Sequence, residues 1–221
     1  MGKPVRFALL AYDDVEPIDV GATFGVLSMA RRVEPAISMV LVAPRAGPVR
    51  MANGLAVIAQ HGYDDCPPAD ILMVLGGPGW TAQAENPDTL AFIRRMAPSA
   101  TVASVCTGGM ILAATGLLDG RPATTKRHVI GAERSPLDVL RAKHPAVNVV
   151  EARLVDCGPI VTAGGVSLAI DATLHMIERA CGVTVAAETA RIIEYQEAWR
   201  ANKKAFPAIE KFGPRRSVAG S

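Results

Sequence analysis

The chain alternates short, continuously apolar segments with segments of helical character from end to end. A strand that is apolar along its whole length is typical of a parallel sheet whose two faces are both covered by helices. The alternation therefore predicts an α/β protein with a mostly parallel central sheet between two helical layers. The predicted strands are residues 5–11, 37–43, 55–59, 70–75, 101–105, 147–155 and 160–163.

Capping and turn residues mark where several helices begin. Asn86-Pro87 and Ser135-Pro136 each place a polar side chain before a proline that suits the first turn of a helix. No repeat or linker interrupts the series, so we expect one domain over residues 1–200. A C-terminal extension over residues 201–221 is expected to be loose from Pro214 onward. The predicted helices are residues 17–32, 87–96, 107–115, 136–143, 167–180 and 184–199.

The composition restricts the partners of the chain. Of its 221 residues, 50% are hydrophobic and 5% are aromatic, and the formal net charge is +2. So small a net charge does not attract nucleic acid or an anionic membrane, and the few aromatic residues do not indicate a base-stacking surface. Neither a secretory signal nor an apolar run of the ~18 residues that cross a bilayer is evident. We expect a cytoplasmic protein that acts on a small molecule.

The cysteines and histidines are scattered along the chain. No two cysteines have the short spacing of a zinc site, and the histidines stand singly. The sequence therefore predicts neither a metal site nor a disulfide framework. These residues are Cys66, Cys106, Cys157, Cys181, His61, His128, His144 and His175.

Cys106 is the strongest candidate for a reactive side chain. It follows a predicted strand and precedes a predicted helix with almost no connector, which is typical of a nucleophile elbow on a strained turn. Gly108 and Gly109 allow this turn to approach its neighbours closely. The start of the helix places partial positive charge beside the sulfur and is expected to favour the thiolate. The alternative interpretation is a small buried cysteine at a tight turn.

A glycine-rich segment, residues 76–79, follows another predicted strand. Ligands of open α/β sheets bind at this end of the strands. Since the proline in the segment has no N–H, the amides of Gly77 and Gly79 are candidates to stabilise negative charge on a substrate. The amide of Thr107, next to Cys106, is a third candidate. The alternative interpretation is a simple turn.

Asp19 is the candidate acid or base. It lies early in the first predicted helix among apolar neighbours. In this position a carboxylate can simply stabilise the helix dipole. If the side chain instead faces Cys106, burial would raise its pKa and let it exchange protons near neutral pH. The nearby Asp13, Asp14 and Glu16 are expected to be solvated.

Four segments resemble motifs of the ThiJ/PfpI superfamily, namely residues 76–79, 105–108, 116–125 and 161–167. The resemblance implies a flavodoxin-like three-layer fold, related to class I glutamine amidotransferase domains, and a homodimer. Within the superfamily the chain is similar to the isonitrile hydratase branch and to the amidase-like domain of certain AraC-type regulators. Too few residues follow the last predicted helix for the DNA-binding domain of such regulators.

The resemblance also implies a covalent reaction that needs no cofactor. Isonitrile hydratases add water to an R–NC group and release an N-substituted formamide. The family places an acidic residue of the first helix against the cysteine, and by motif order this residue is Asp19. In this scheme the Cys106 thiolate attacks the isonitrile carbon, Asp19 supplies and removes protons, and Thr107 positions the water or the acid.

One position departs from the family pattern. Many relatives have a histidine directly after Ala-Thr-Thr, whereas this chain has Lys126, followed by Arg127 and His128. The departure argues against a PfpI-like protease and leaves open whether Lys126 or His128 replaces the histidine. Two other functions also stay open: a glyoxalase- or deglycase-like reaction on α-oxoaldehydes, and a redox sensor whose cysteine is oxidised.

Overall fold

Strands and helices alternate along the computed structural model, which describes residues 3–210. The strands are β1 (Val5–Leu10), β2 (Ile37–Val42), β3 (Gly47–Arg50), β4 (Ala56–Ala59), β5 (Ile71–Val74), β6 (Thr101–Ser104), β7 (Pro122–Ala123), β8 (Asn148–Val149), β9 (Leu154–Asp156), β10 (Ile160–Ala163) and β11 (Ile209–Glu210). The helices are α1 (Pro17–Val20), α2 (Val26–Ala30), α3 (Trp80–Glu85), α4 (Pro87–Met96), α5 (Gly108–Ala114), α6 (Pro136–Lys143), α7 (Leu168–Cys181), α8 (Val183–Ile192) and α9 (Gln196–Ala205). A π-helical turn, Gly21–Gly25, joins α1 to α2.

Seven strands form the central sheet, in the order β11-β9-β10-β6-β5-β1-β2. The core strands β10, β6, β5, β1 and β2 are parallel, and β9 runs antiparallel to β10. β5 lies between β1 and β6, and all four of its side chains are buried. Its continuous apolar character thus reflects two covered faces, and the predicted mostly parallel α/β architecture is confirmed.

The helices pack in two groups. α2, α7 and α8 contact one another, and so do α3, α4 and α5. The side chain of Asn86 accepts hydrogen bonds from the amides of Asp88 and Thr89, as its predicted role at the start of α4 requires. Within residues 3–210, no helix has both the length and the apolar character to cross a membrane.

Several predicted boundaries are wrong. The strand predicted at residues 147–155 is two strands with different partners, because β8 pairs with β7 while β9 pairs with β10. The predicted helix 184–199 is broken between α8 and α9, where Glu194 has φ = 56°. The sequence did not indicate β3, a four-residue strand with a proline that pairs only with β4, or α3, which directly follows the glycine-rich segment.

The first part of the predicted C-terminal extension packs against the rest of the fold. Residue 200 lies inside α9, and β11 pairs with β9 in the central sheet. Asn202 in α9 donates a hydrogen bond to Asp171 in α7 at 2.9 Å. The segment from Pro214 onward, predicted to be loose, lies outside the described residues.

Candidate active site

Cys106 lies on a sharp turn between β6 and α5. Its φ is 52°, in the left-handed region that residues other than glycine rarely adopt. Its amide donates to the Gly164 carbonyl at 3.2 Å, and the Thr125 hydroxyl donates to the Cys106 carbonyl at 2.7 Å. The turn therefore has the strained backbone that the sequence predicts, and residues much later in the chain hold it in place.

Glycines allow neighbouring segments to reach this turn. A Cβ on Gly76 would lie 2.5 Å from the Thr107 nitrogen, and one on Gly165 would lie 2.7 Å from Cys106 Sγ. A Cβ on Gly108 would lie 2.1 Å from the carbonyl oxygen of Val74. These distances are shorter than non-bonded atoms tolerate in a close-packed interior. A larger residue at any of the three positions would therefore displace Cys106, Thr107 or the backbone of β5.

Asp19 lies in α1 with its side chain fully buried. Oδ2 accepts a hydrogen bond from the Gly76 amide at 2.8 Å, and Oδ1 is buried without an N–H or O–H partner among the described residues. Burial raises the pKa of Asp19 from 3.8 to about 7, against the effect of the Gly76 amide. The Glu16 carboxylate adds to the increase, and the nearby Cys106 thiol and Lys126 ammonium reduce it.

The thiol of Cys106 is also desolvated, with 3% of the residue exposed. Burial raises its pKa to about 12, and the Asp19 carboxylate adds to the increase. The Thr107 amide and Lys126 act in the opposite direction without cancelling it. The predicted lowering of the thiol pKa by the start of α5 is therefore wrong, because the loss of water outweighs the partial charge of the helix.

Cys106 and Asp19 behave as one ionising unit. The ionised Asp19 carboxylate disfavours loss of the thiol proton, because two negative charges would then share a buried site, whereas the protonated thiol lowers the pKa of Asp19 by hydrogen bonding to the carboxylate. Between about pH 7 and about pH 12 the pair therefore holds a single proton. Moving that proton from the sulfur to the carboxylate leaves the net charge of the site unchanged, so the transfer requires no further burial of charge.

The glycine amides beside the cysteine are occupied within the protein. Thr107 Oγ1 accepts a hydrogen bond from the Gly77 amide at 2.8 Å and lies 3.2 Å from the Gly77 carbonyl oxygen, to which it can donate. The Gly79 amide donates to the Asp14 carbonyl at 3.2 Å. These contacts contradict the predicted role of Gly77 and Gly79 as donors to a substrate anion. The Thr107 amide, next to the Cys106 sulfur, is the remaining candidate of the three.

A cavity of about 510 Å³ opens above Cys106 and Thr107. A cavity of this size fits a small organic molecule. Much of its wall offers no hydrogen-bond partner, so an apolar substrate with one reactive group suits it best. The apolar part of the lining is Pro78, Trp80, Val129, Pro136, Val139 and Val166, and the charged part is Glu16, Lys126, Glu133 and Arg134.

Two of the charged residues at the cavity, Lys126 and Glu16, bear on questions that the sequence left open or answered differently. Lys126 lines the cavity, whereas His128 is exposed and does not. Of these two residues, Lys126 is therefore the one that lies at the cavity. Glu16, which was expected to be solvated, is half-buried and also lines the cavity.

Sequence reasoning did not identify the apolar wall. Trp80 begins α3, and Val129 and Val139 lie on either side of the start of α6. No motif distinguishes these residues from others of their type. The single usable signal was the position of Trp80 directly after the glycine-rich segment.

Other candidate ligands and nucleophiles lie elsewhere. None of the described cysteines apart from Cys106 lines the cavity. Across residues 3–210, no three His, Cys, Asp or Glu side chains come together in a group that could hold a metal ion.

The fold and this pair of side chains define a class of protein: a flavodoxin-like α/β domain with a cysteine elbow at the end of a central strand and a carboxyl from the first helix beside it. Residues 5–179 match the model of the DJ-1/PfpI family, and the chain belongs to that family. The resemblance seen in the sequence motifs is confirmed.

One similar protein of known name is the isonitrile hydratase of Pseudomonas putida. It is 32% identical to this chain over 193 residues, which are 87% of this chain and 77% of the hydratase. The predicted similarity to the isonitrile hydratase branch is therefore confirmed.

Solved structures share the fold. A ThiJ/PfpI family protein from Pseudomonas syringae has a TM-score of 0.74 at 26% identity, covering 94% of this chain and 88% of that chain. DJ-1beta of Drosophila melanogaster has a TM-score of 0.72 at 17% identity, covering 88% of this chain and 98% of that chain. The predicted flavodoxin-like fold is confirmed.

Proposed function

We propose that this protein is a cysteine-dependent hydratase that adds water to a small isonitrile, R–NC, and releases the formamide R–NH–CHO. The observation that carries the proposal is a buried carboxyl with a pKa of about 7, set beside the Cys106 thiol under a largely apolar cavity. A group with such a pKa can both take and give a proton at neutral pH. The similarity to isonitrile hydratase supports the choice of substrate.

The first step joins the sulfur to the isonitrile carbon. The Asp19 carboxylate takes the thiol proton as the sulfur attacks the terminal carbon, and it then gives this proton to the same carbon. The product is a thioimidate, R–N=CH–S–Cys106, and Asp19 is a carboxylate again. Covalent attachment divides one difficult addition into two easier steps.

The second step releases the product. Asp19 takes a proton from water as the oxygen attacks the thioimidate carbon, and it gives this proton to the nitrogen. The C–S bond then breaks as the proton of the new hydroxyl passes through Asp19 to the sulfur, which gives R–NH–CHO, the Cys106 thiol and the Asp19 carboxylate. Together the two steps add one H₂O to R–NC to give R–NH–CHO, so no cofactor takes part. The Thr107 amide, beside the sulfur, is the donor we assign to the charge that builds up at this stage.

Formamide production from cyclohexyl isonitrile by the purified protein tests this proposal. We expect turnover by the unaltered chain and by Cys181→Ala, a matched control whose cysteine lies outside the cavity. Cys106→Ala should abolish turnover, and Asp19→Asn should reduce it by at least ~100-fold, the usual contribution of a positioned acid or base. Turnover that persists in Cys106→Ala would overturn the scheme.

The alternative functions give different results in the same set of samples. Lactate from methylglyoxal, without formamide from the isonitrile, would indicate aldehyde chemistry at the same pair. A gain of one or two oxygens in the mass of the Cys106 peptide under mild peroxide, without turnover of either substrate, would indicate the redox sensor.

A further inference from the structure

Two side chains of opposite charge line the cavity that opens above Cys106. Glu16 precedes α1, and Lys126 follows the segment that supports Cys106. Among the described residues, neither has an oppositely charged side chain within the 4.0 Å of an ion pair. Their charges are therefore not neutralised by a direct partner and act on the groups around them.

Glu16 is fixed to the Asp19 side of the pair by the backbone. Its amide donates to the Gly76 carbonyl at 2.9 Å, and its carbonyl accepts from the Asp19 amide at 3.0 Å. The Gly76 amide in turn donates to the Asp19 carboxyl at 2.8 Å. The Glu16 charge raises the pKa of Asp19, so it favours the protonated acid.

Lys126 is fixed to the Cys106 side. The neighbouring Thr125 donates its hydroxyl hydrogen bond to the Cys106 carbonyl, and the Lys126 carbonyl accepts from the Leu137 amide at 3.1 Å. The ammonium lowers the pKa of both Cys106 and Asp19. Its charge therefore favours loss of the first proton from the pair.

The other titratable groups around the pair contribute less. Tyr12 is buried and its hydroxyl donates to the Leu75 carbonyl at 3.0 Å, and burial raises its pKa far enough to keep it neutral. Glu133 and Arg134 are exposed at the cavity mouth and carry opposite charges. His128 is exposed and does not line the cavity.

We propose that Glu16 and Lys126 are positioning residues whose opposing charges set the pH at which the Cys106–Asp19 pair loses its first proton and becomes reactive. Lys126 thus supplies the positive charge beside the pair, and Glu16 supplies the negative charge. The inference rests on the pairing of Cys106 with Asp19 but not on the identity of the substrate.

The test is the rate of Cys106 alkylation by iodoacetamide, resolved by peptide mass spectrometry, from about pH 5 to about pH 9. Iodoacetamide is uncharged, so changes in protein charge act on the sulfur and not on the reagent. For the unaltered chain we expect a midpoint at about pH 7. Lys126→Met should move the midpoint to higher pH and slow alkylation about tenfold below the midpoint, whereas Glu16→Gln should move it to lower pH.

Matched variants separate a charge effect from a structural one. Lys126→Arg should keep the original midpoint, and the double variant Glu16→Gln/Lys126→Met should return towards it. Lys143→Met and Glu85→Gln, two exposed residues outside the cavity, should leave the profile unchanged. Midpoints that shift in the same direction in both single variants, or not at all, would overturn the inference. If the midpoints of the two single variants shift in opposite directions but the unaltered protein produces no formamide, the inference on Glu16 and Lys126 stands and only the proposed hydratase is rejected.

Discussion

At the scale of single residues, the carboxyl of Asp19 is buried at a cost to the folded protein. Its pKa is about 7 when folded and 3.8 as a free side chain, so the unfolded chain releases this proton at lower pH. Between those values the folded state binds more protons, and stability therefore falls as the pH rises. The full cost, reached above about pH 7, is about 4 kcal/mol.

We therefore expect Asp19→Asn to stabilise the protein while removing its activity. The amide keeps an oxygen for the Gly76 hydrogen bond and carries no charge to desolvate. Urea unfolding should show a gain of about 2–4 kcal/mol at about pH 8 and almost none at about pH 4. A gain that is the same at both pH values would show that ionisation of Asp19 is not its source.

Pattern alone predicts residues whose role depends on local sequence. Cys106 was predicted because the junction between strand and helix is visible in the sequence, and Asp19 because it stands alone among apolar neighbours. The availability of the Gly77 amide was not predictable, since it depends on the Thr107 hydroxyl, which the fold brings from the turn between β6 and α5. The place of Lys126 at the cavity likewise depends on the path of the following segment.

At the scale of elements, a buried charged cluster attaches α9 to the rest of the fold. Asp171 in α7 accepts hydrogen bonds from Arg153 at 3.0 Å, from the Tyr195 hydroxyl at 2.9 Å and from Asn202 at 2.9 Å. The side chains of Asp171 and Arg153 are 0% and 5% exposed. One carboxylate therefore joins α7, α9 and the segment that leads into β9.

Removing this carboxylate should be costly. Asp171→Ala leaves the Arg153 charge buried without its partner, and we expect a loss of about 3–5 kcal/mol in the free energy of unfolding. Asp138→Ala breaks an exposed ion pair with Arg141 and should cost no more than about 1 kcal/mol. Similar losses in the two variants, measured by urea unfolding, would contradict this account.

The sequence predicts elements best where burial is uniform. β5, β6 and β10 were predicted because each is a short segment of mostly apolar residues that is almost completely buried. The segment at residues 147–155 was misjudged because valines lie on both sides of its break, while its division into β8 and β9 depends on which strands lie beside it. β11 pairs through only two residues, too short a segment to carry a pattern.

At the scale of the whole molecule, exposed apolar side chains gather on neighbouring elements. Ile18 in α1 is 45% exposed, and Leu55 and Ile58 at the β3–β4 hairpin are 57% and 63% exposed. The hairpin is held beside the start of α1 by a hydrogen bond from the Ala52 amide to the Val15 carbonyl at 3.0 Å. Apolar surface of this kind favours association with a second copy of the chain.

We expect a homodimer that uses this surface, as the family resemblance implies. Light scattering during gel filtration should give twice the 23.2 kDa mass of the chain. Ile58→Glu should give the mass of one chain, because it would bury a charge at the interface. Val183→Glu, which alters an equally exposed residue at the start of α8, should leave the mass unchanged. A single-chain mass for the unaltered protein would contradict the expectation.

The hydrogen bond between the Cys106 amide and the Gly164 carbonyl joins the cysteine to a segment that is synthesised much later. The ribosome completes β6 and the cysteine well before it reaches β10, so a nascent chain carries the thiol before it carries the geometry that positions it. Two fragments produced by a cut at the exposed Pro145 would divide the cysteine from Gly164 and Gly165. Neither fragment would hold the strained turn, and recovery of iodoacetamide reactivity with a midpoint near neutral pH would report their reassembly.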